Sequence, residues 1–254
     1  MIKTVKVKNI VLGESIPKIC IPLVAKTEED FIAAAKNLEG VSLDLVEIRI
    51  DHFNKVEDLE SVLNLLKKIR EVLIETPLLF TFRTLKEGGE KELATENYVK
   101  LNNEVAKSKL VDIVDVELFT GDEFVKEMIE VAHENGVKVI MSNHDFFKTP
   151  SKDEIVSRLC KMQELGADIV KIALMPEKEE DVLTVLSATL DMKKNHAKVP
   201  VVTMSMGGKG VISRVAGEIF GSDMTFGAVN KVSAPGQLEA GKLVEILKTL
   251  HEAL

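Results

Sequence analysis

The feature that most constrains this chain is an alternation: apolar, strand-forming runs take turns with amphipathic helical patterns, and the strand-like run recurs eight times. The runs are KICIPLV (18–24), LVEIRID (45–51), PLLFTFR (77–83), DIVDVEL (112–118), KVIMSNH (138–144), DIVKIAL (168–174), VPVVTMSM (199–206) and MTFGAV (224–229). Between them lie helical patterns such as TEEDFIAAAKNL, VEDLESVLNLLKKIREVL and GDEFVKEMIEVAHENG, with lysine or glycine in or near their last turns as suits helix C-termini. Strands linked through helices must pair in parallel, and eight such units favour a closed ring over an open sheet. The expected fold is α/β, a (β/α)8 TIM barrel with a short N-terminal β-hairpin in TVKVKNIVLGE (4–14). The helix GQLEAGKLVEILKTLHEAL (236–254) is expected to close the ring, and GGKGVISRVAGEIFGS (207–222) is its weakest, shortest helical segment. The 254 residues match the roughly 250 typical of one such barrel, and no linker or charge block interrupts the pattern, so residues 1–254 read as a single catalytic domain.

Side chains on a strand alternate between faces, so one parity points into a barrel and the other packs beneath the helices. In the second strand Val46, Ile48 and Ile50 form the outward face, leaving Glu47, Arg49 and Asp51 inward. Phe80 and Phe82 go outward in the third and Arg83 inward; Val114, Val116 and Leu118 go outward in the fourth, Asp115 and Glu117 inward. In the fifth strand Val139 and Met141 oppose Ser142 and His144. In the sixth, Val170, Ile172 and Leu174 leave Lys171 inside. Five consecutive strands thus aim polar or charged groups into an interior that stability alone would fill with branched apolar residues, and polar groups near C-terminal strand ends are how barrels build active sites.

Lys171, set in an apolar run, is the residue that most needs a use, because burying an ammonium is costly and favours the free, nucleophilic amine. A solvated edge lysine or a snorkelling one is the plain alternative. With an inward histidine on the adjacent strand, a division of labour follows: Lys171 condenses with a ketone to form an imine, and His144 removes the acidified proton and returns it to a leaving β-hydroxyl. Arg49, Arg83 and Arg214 are expected to keep the lysine neutral by proximity. Glu87 would orient His144 if its loop folds inward. After the seventh strand MGGKGVISR supplies glycines and Arg214, whose planar fork suits a carboxylate or phosphate; after the eighth AVNKVSAPGQLEAG suggests a lid with Ser233 and Gln237 at its tip, or an ordinary helix entry. His133, His196 and His251 read as surface groups, and His52 as a neighbour of the site.

Composition removes several classes. A net charge of -8 with no basic tract disfavours nucleic-acid binding, and no apolar run approaches the roughly 18 residues of a membrane helix. Cys20 and Cys160 lack metal-ligand spacing and read as small core residues in a reducing compartment, and the N-terminus lacks a signal-peptide core, so a cytoplasmic location without disulfide is expected. No metal site and no dinucleotide fingerprint is found.

The motifs VEIRIDHF (46–53), FTFRTLKEGG (80–89), VDVEL (114–118), SNHDF (142–146), VKIA (170–173), MSMGGKGVISR (204–214) and SAPGQ (233–237) together resemble the type I 3-dehydroquinate dehydratases, over essentially the whole chain. The resemblance implies a barrel converting 3-dehydroquinate to 3-dehydroshikimate and water in the shikimate pathway, without metal or cofactor. It implies Lys171 as the imine-forming residue, His144 as the proton-transfer residue and Glu87 beside it. Glu47, Arg49 and Arg83 are implied substrate contacts, Met204 and Met206 pocket walls, and Arg214, Ser233 and Gln237 a carboxylate clamp and lid. Asp51, Asp115 and Glu117 are implied supports. A homodimer is implied by the family alone.

Two readings compete. A sugar-phosphate aldolase would share the sixth-strand lysine and bind phosphate after strands seven and eight; phosphate dependence separates it. A non-catalytic barrel binding an anionic metabolite would keep its affinity when Lys171 is replaced by alanine.

Overall fold

The computed structural model describes residues 2–14, 16–229 and 234–254. Two short strands, β1 (Val5–Val7) and β2 (Ile10–Leu12), form the expected antiparallel hairpin. The barrel strands follow as β3 (Lys18–Leu23), β4 (Leu45–Arg49), β5 (Leu78–Thr81), β6 (Ile113–Glu117), β7 (Lys138–Asp145), β8 (Ile169–Leu174), β9 (Val201–Ser205) and β10 (Met224–Ala228). Interleaved are helices α1 (Glu28–Lys36), α2 (Leu59–Val72), α3 (Thr95–Ser108), α4 (Asp122–Glu134), α5 (Lys152–Glu164), α6 (Glu179–Asp191), the short α7 (Val211–Val215) and α8 (Gly217–Phe220), and after β10 a two-residue β11 (Leu238–Glu239) and α9 (Ala240–Glu252).

Every pairing from β10 through β3 to β9 is parallel and between neighbours in the chain, apart from β10 beside β3, which brings the last barrel strand to the first. Between β9 and β10 no ladder is formed among the described residues. The seam is stitched instead from the two residues ahead of β10: Asp223 donates its N–H to Val201 O at 2.7 Å and accepts from Val201 N at 2.8 Å, and Thr203 N donates to Ser222 Oγ at 3.0 Å. Side-chain oxygens thus take the place of missing ladder acceptors, and the barrel closes without leaving those amides unpaired.

Strand by strand, the outward apolar residues pack beneath the helices. Val46, Ile48, Ile50, Phe80, Phe82, Val114, Val116, Val139, Met141, Val170, Ile172 and Leu174 belong to one core cluster, shared with the inner faces of the helices. A second, separate cluster fills the N-terminal half of the barrel interior with Cys20, Leu45, Leu79, Ile113, Ile140, Ile169, Val202 and Met224, and the hairpin residues Val5, Val7, Ile10 and Leu12 join it. The hairpin is therefore a plug: its apolar side closes the bottom of the barrel.

Strands end earlier than the apolar runs do. β4 stops at Arg49 and passes into a 3-10 turn over Ile50–His52, β5 stops at Thr81, and β6 passes into a turn over Leu118–Thr120. Asp51 and Arg83 consequently lie just past the ladder, where backbone is free to aim their side chains. The last helix is also shorter than its pattern. Leu238 and Glu239 pair with β10 as an added parallel strand, and the Glu239 carboxylate caps α9 by accepting from Gly241 N and Lys242 N. Cys20 is buried and Cys160 partly so, both as free thiols. No described helix is long and apolar enough to cross a membrane.

Candidate active site

The C-terminal mouth of the barrel holds a cavity lined by Glu47, Arg49, Arg83, Glu87, Gly88, His144, Phe146, Lys171, Ala173, Met204, Met206, Arg214, Phe226, Ala234 and Gln237. Of the residues singled out in the sequence, all but Ser233, Asp51, Asp115 and Glu117 line it; Ser233 lies outside the described residues, and the three carboxylates sit directly beneath as partners of the lining groups.

Lys171 is 4% exposed, inward on β8, with Ser142 of β7 as its register partner. Its Nζ lies 3.9 Å from Glu47 Oε1, 3.8 Å from Asp115 Oδ2 and 4.5 Å from the centre of the Phe226 ring. Its ionic partners are thus carboxylates, and it shares Asp115 Oδ2 with Arg83. Arg49 and Arg83 are themselves paired. Arg49 is locked to Asp51 by two bonds, Nε to Oδ1 at 2.9 Å and Nη2 to Oδ2 at 2.8 Å. Arg83 donates from Nη1 to Glu117 Oε1 at 2.7 Å and Ser142 Oγ at 3.0 Å, and from Nη2 to Asp115 Oδ2 at 2.8 Å. Burial works against both guanidinium charges, but these carboxylates outweigh it and hold both arginines firmly protonated. Breaking such a pair from one side leaves a buried, uncompensated charge, so Arg83 acts as the keystone of the floor.

His144 stands one inward position above the level of Lys171 on the neighbouring strand, since His144 pairs with Ala173 and Ser142 with Lys171. Glu87 does fold inward. Its Oε2 is 2.9 Å from His144 Nδ1 and accepts from His144 N at 2.8 Å, while Oε1 accepts from Asn143 Nδ2 at 3.0 Å. The loop reaches this position because Gly88 takes φ 84° and Gly89 lies against the Arg83 carbonyl. A Cβ on Gly88 would meet the Phe146 ring at 2.3 Å, and one on Gly89 would meet Arg83 O at 1.9 Å, so only this pair of glycines allows the turn. Burial, then the nearby Glu117, push the Glu87 carboxyl up to about 8. Burial, then Arg83, Lys171 and Arg49, push His144 well below its usual range. Both shifts favour the neutral form of the group concerned.

Arg214, on α7, is 1% exposed. It donates from Nη2 to Pro235 O at 2.8 Å and reaches Met204 Sδ from Nη1 at 3.7 Å, and its Nε has no partner among the described residues. Among the described residues no carboxylate pairs with it, and burial pushes it down to about 10. A buried guanidinium so placed at a cavity is a receptor for an anion, and its fork matches a carboxylate. The described part of the loop after β10 is held to the loop after β9, where Gly207 N donates to Pro235 O at 3.2 Å. Among the described residues no group of three or more His, Cys, Asp or Glu is arranged to hold a metal ion.

Three contributors escaped the sequence reading. Asn143 occupies an outward position, in series with Val139 and Met141, and that break in an apolar series was its signal. Phe226 covers the lysine from β10 as one more apolar strand residue. Tyr98 comes from α3, and its hydroxyl donates to Asp115 O at 3.3 Å and accepts from Glu117 N at 3.0 Å, pinning the strand that carries both carboxylates. His52 lies 3.6 Å from Asp51 Oδ2 behind the site. His133 and His251 contact Asp168 and Glu218 near the surface, and His196 lies 3.6 Å from Asp191.

A barrel with an inward amine, an imidazole hydrogen-bonded to a carboxyl and a buried guanidinium around one mouth is an enzyme of small organic acids. Comparison with known proteins narrows this. Residues 19–253 match the model of the type I 3-dehydroquinase family. The 3-dehydroquinate dehydratase of Clostridium botulinum is 55% identical over 252 residues, covering 99% of both chains. The type I 3-dehydroquinate dehydratase of Clostridium difficile, solved with covalent modified comenic acid, superimposes with a TM-score of 0.98 at 52% identity over 100% of both chains. The 3-dehydroquinate dehydratase of Enterococcus faecalis gives a TM-score of 0.91 at 47% identity, covering 96% of this chain and 98% of its own. The chain belongs to the type I 3-dehydroquinase family and is a lyase of the hydro-lyase class.

Proposed function

We propose that this chain dehydrates 3-dehydroquinate to 3-dehydroshikimate in the shikimate pathway of aromatic amino acid biosynthesis, through an imine on Lys171 with His144 as general acid and base. The observation that carries the reading is the register of β7 and β8, which stacks His144 one inward level above Lys171 in a single cavity that Arg214 also lines. The Clostridium difficile relative solved with covalent modified comenic acid is in keeping with a nucleophile in the site.

The substrate carboxylate pairs with Arg214, which sets the ring ketone against Lys171. The amine adds to the carbonyl carbon, a C–N bond forms and water leaves, giving a cationic imine. That cation acidifies the adjacent carbon, and His144 Nε2 takes its proton while Nδ1–H donates to Glu87. The C–H electron pair becomes the new double bond as the β-hydroxyl departs, protonated by His144, and hydrolysis of the conjugated imine frees the lysine. Glu47 and Arg49 contact ring hydroxyls, Met204 and Met206 shape the wall, and Gln237 with Ser233 closes the lid. Asp51, Asp115 and Glu117 hold the arginine floor. No cofactor takes part. The whole of residues 1–254 works as one catalytic domain, in a cytoplasmic homodimer.

The test is growth of the conjugated-enone absorbance with 3-dehydroquinate in the presence of a chelator. Activity is expected without added metal or phosphate. Strict phosphate dependence, or full activity in His144→Ala, would remove the assignment.

A further inference from the structure

On the outward side of β7 an unassigned chain of polar contacts runs from helix α5 to the imidazole. Arg158 of α5 is only partly exposed and donates from Nη1 to Asn143 Oδ1 at 2.9 Å. Its Nε is bound to Glu154 Oε1 at 2.7 Å, and its guanidinium lies 5.5 Å from the centre of the Phe119 ring. Asn143, 3% exposed, donates in turn from Nδ2 to Glu87 Oε1. Neither Arg158 nor Asn143 lines the substrate cavity.

The chemistry of the donors makes this contact directional. A guanidinium has donors only, so the amide must show it the oxygen, and the NH2 is thereby forced toward Glu87. Oε1 then faces a donor and stays a bare acceptor. A proton on Glu87 has one remaining place, Oε2, in the bond to His144 Nδ1. We propose that Arg158 and Asn143 are positioning residues that fix the carboxyl of Glu87 so that the Glu87–His144 pair keeps its exchangeable proton between Oε2 and Nδ1. The inference rests on the reading of His144 as the proton-transfer group.

The groups facing the pair are Arg83, whose Nη1 is 3.7 Å from Glu87 Oε2, and Glu117, Lys171 and Arg49 from the barrel interior; Arg158 faces it from the helix layer through Asn143. Of these groups only Arg158 lies outside both the barrel floor and the substrate cavity. When the pair has lost its extra proton, Nε2 is free to act as base; when it holds that proton, Nε2–H is an acid. Donors fixed on Glu87 favour the carboxylate and so lower the pH at which the base form appears. Freed from Arg158, the amide can turn its oxygen to a protonated Oε1, which favours the wrong site and retains the proton.

The experiment is the pH profile of kcat/KM with 3-dehydroquinate for the wild type, Arg158→Met, Arg158→Lys, Asn143→Asp and Glu87→Gln, with the 15N shifts of His144 as a second readout. The acid limb is expected to move up by about half a pH unit in Arg158→Met and by about one unit or more in Asn143→Asp, to return in Arg158→Lys, and to move down in Glu87→Gln. Arg158 lies on a partly exposed helix face, so its variants remain informative if buried Asn143→Asp fails to fold. A limb that stays in place in Arg158→Met while moving in Glu87→Gln overturns the positioning role alone. A limb unmoved in Glu87→Gln overturns the reading of the dyad itself.

Discussion

The two halves of the barrel interior are built by the same strands and differ in almost everything else. Below, Leu45, Leu79, Ile113, Ile140 and Ile169 meet the hairpin plug in a dry, fully buried layer. One inward step further along, about 7 Å, the same strands present Glu47, Thr81, Asp115, Ser142 and Lys171. The lower layer gains free energy from every methylene it removes from water. The upper layer must instead satisfy each charge: Thr81 Oγ1 donates to Glu47 Oε1 at 2.9 Å, Ser142 Oγ to Asp115 Oδ1 at 2.6 Å and Thr84 Oγ1 to Glu117 Oε2 at 2.7 Å. Stability and chemistry are thus separated along the strand axis, and neighbouring inward residues should respond oppositely to mutation.

The sharpest contrast lies within β8. Lys171→Met should lose at least about four orders of magnitude in kcat, while thermal stability holds or rises, because Asp115 keeps Arg83 and Glu47 keeps Thr81. Ile169→Ala, two residues earlier, should lower stability by about 2–5 kcal/mol in denaturant titration and leave kcat of the folded enzyme near the wild-type value. Exchange of these outcomes, with stability lost at Lys171 or turnover lost at Ile169, would erase the division. Arg214→Ala should raise KM roughly a hundredfold, the loss of one charge-assisted pair with the substrate carboxylate, with a smaller change in kcat; an unchanged KM would mean that the anion receptor lies elsewhere in the mouth. Glu87→Gln is the mildest. Without its carboxylate partner, His144 keeps only burial and the cations that depress it, so the acid limb of kcat/KM should shift to lower pH by about one unit, and a shift upward would contradict the coupling.

This separation explains what could be read before the fold was known. Apolar alternation in VEIRID, IVDVEL and IVKIAL identifies the helix-facing side of each strand, and by elimination the inward groups, because one buried face permits only one register. Position along the strand was legible too, since the charged inward residues crowd toward the C-terminal ends. The partners of those residues were not. Arg83 reaches Asp115 and Glu117 on the neighbouring strand, at distances that no single strand encodes, whereas Arg49 pairs with Asp51 two residues further along its own segment. Asn143 and Tyr98 act across layers, from an outward position and from a helix, where inward parity is silent. The plug role of the hairpin follows from where its apolar side lands, and the added strand at Leu238 from a backbone pairing that the helical pattern of the following residues concealed.

The central claim is that Lys171 forms the imine, and intact-mass spectrometry after borohydride reduction with 3-dehydroquinate tests it most directly. The account predicts a covalent adduct on the wild type that maps to Lys171 and is absent from Lys171→Ala. A wild-type enzyme that turns over 3-dehydroquinate yet is never trapped, or an adduct that persists in the variant, would contradict it.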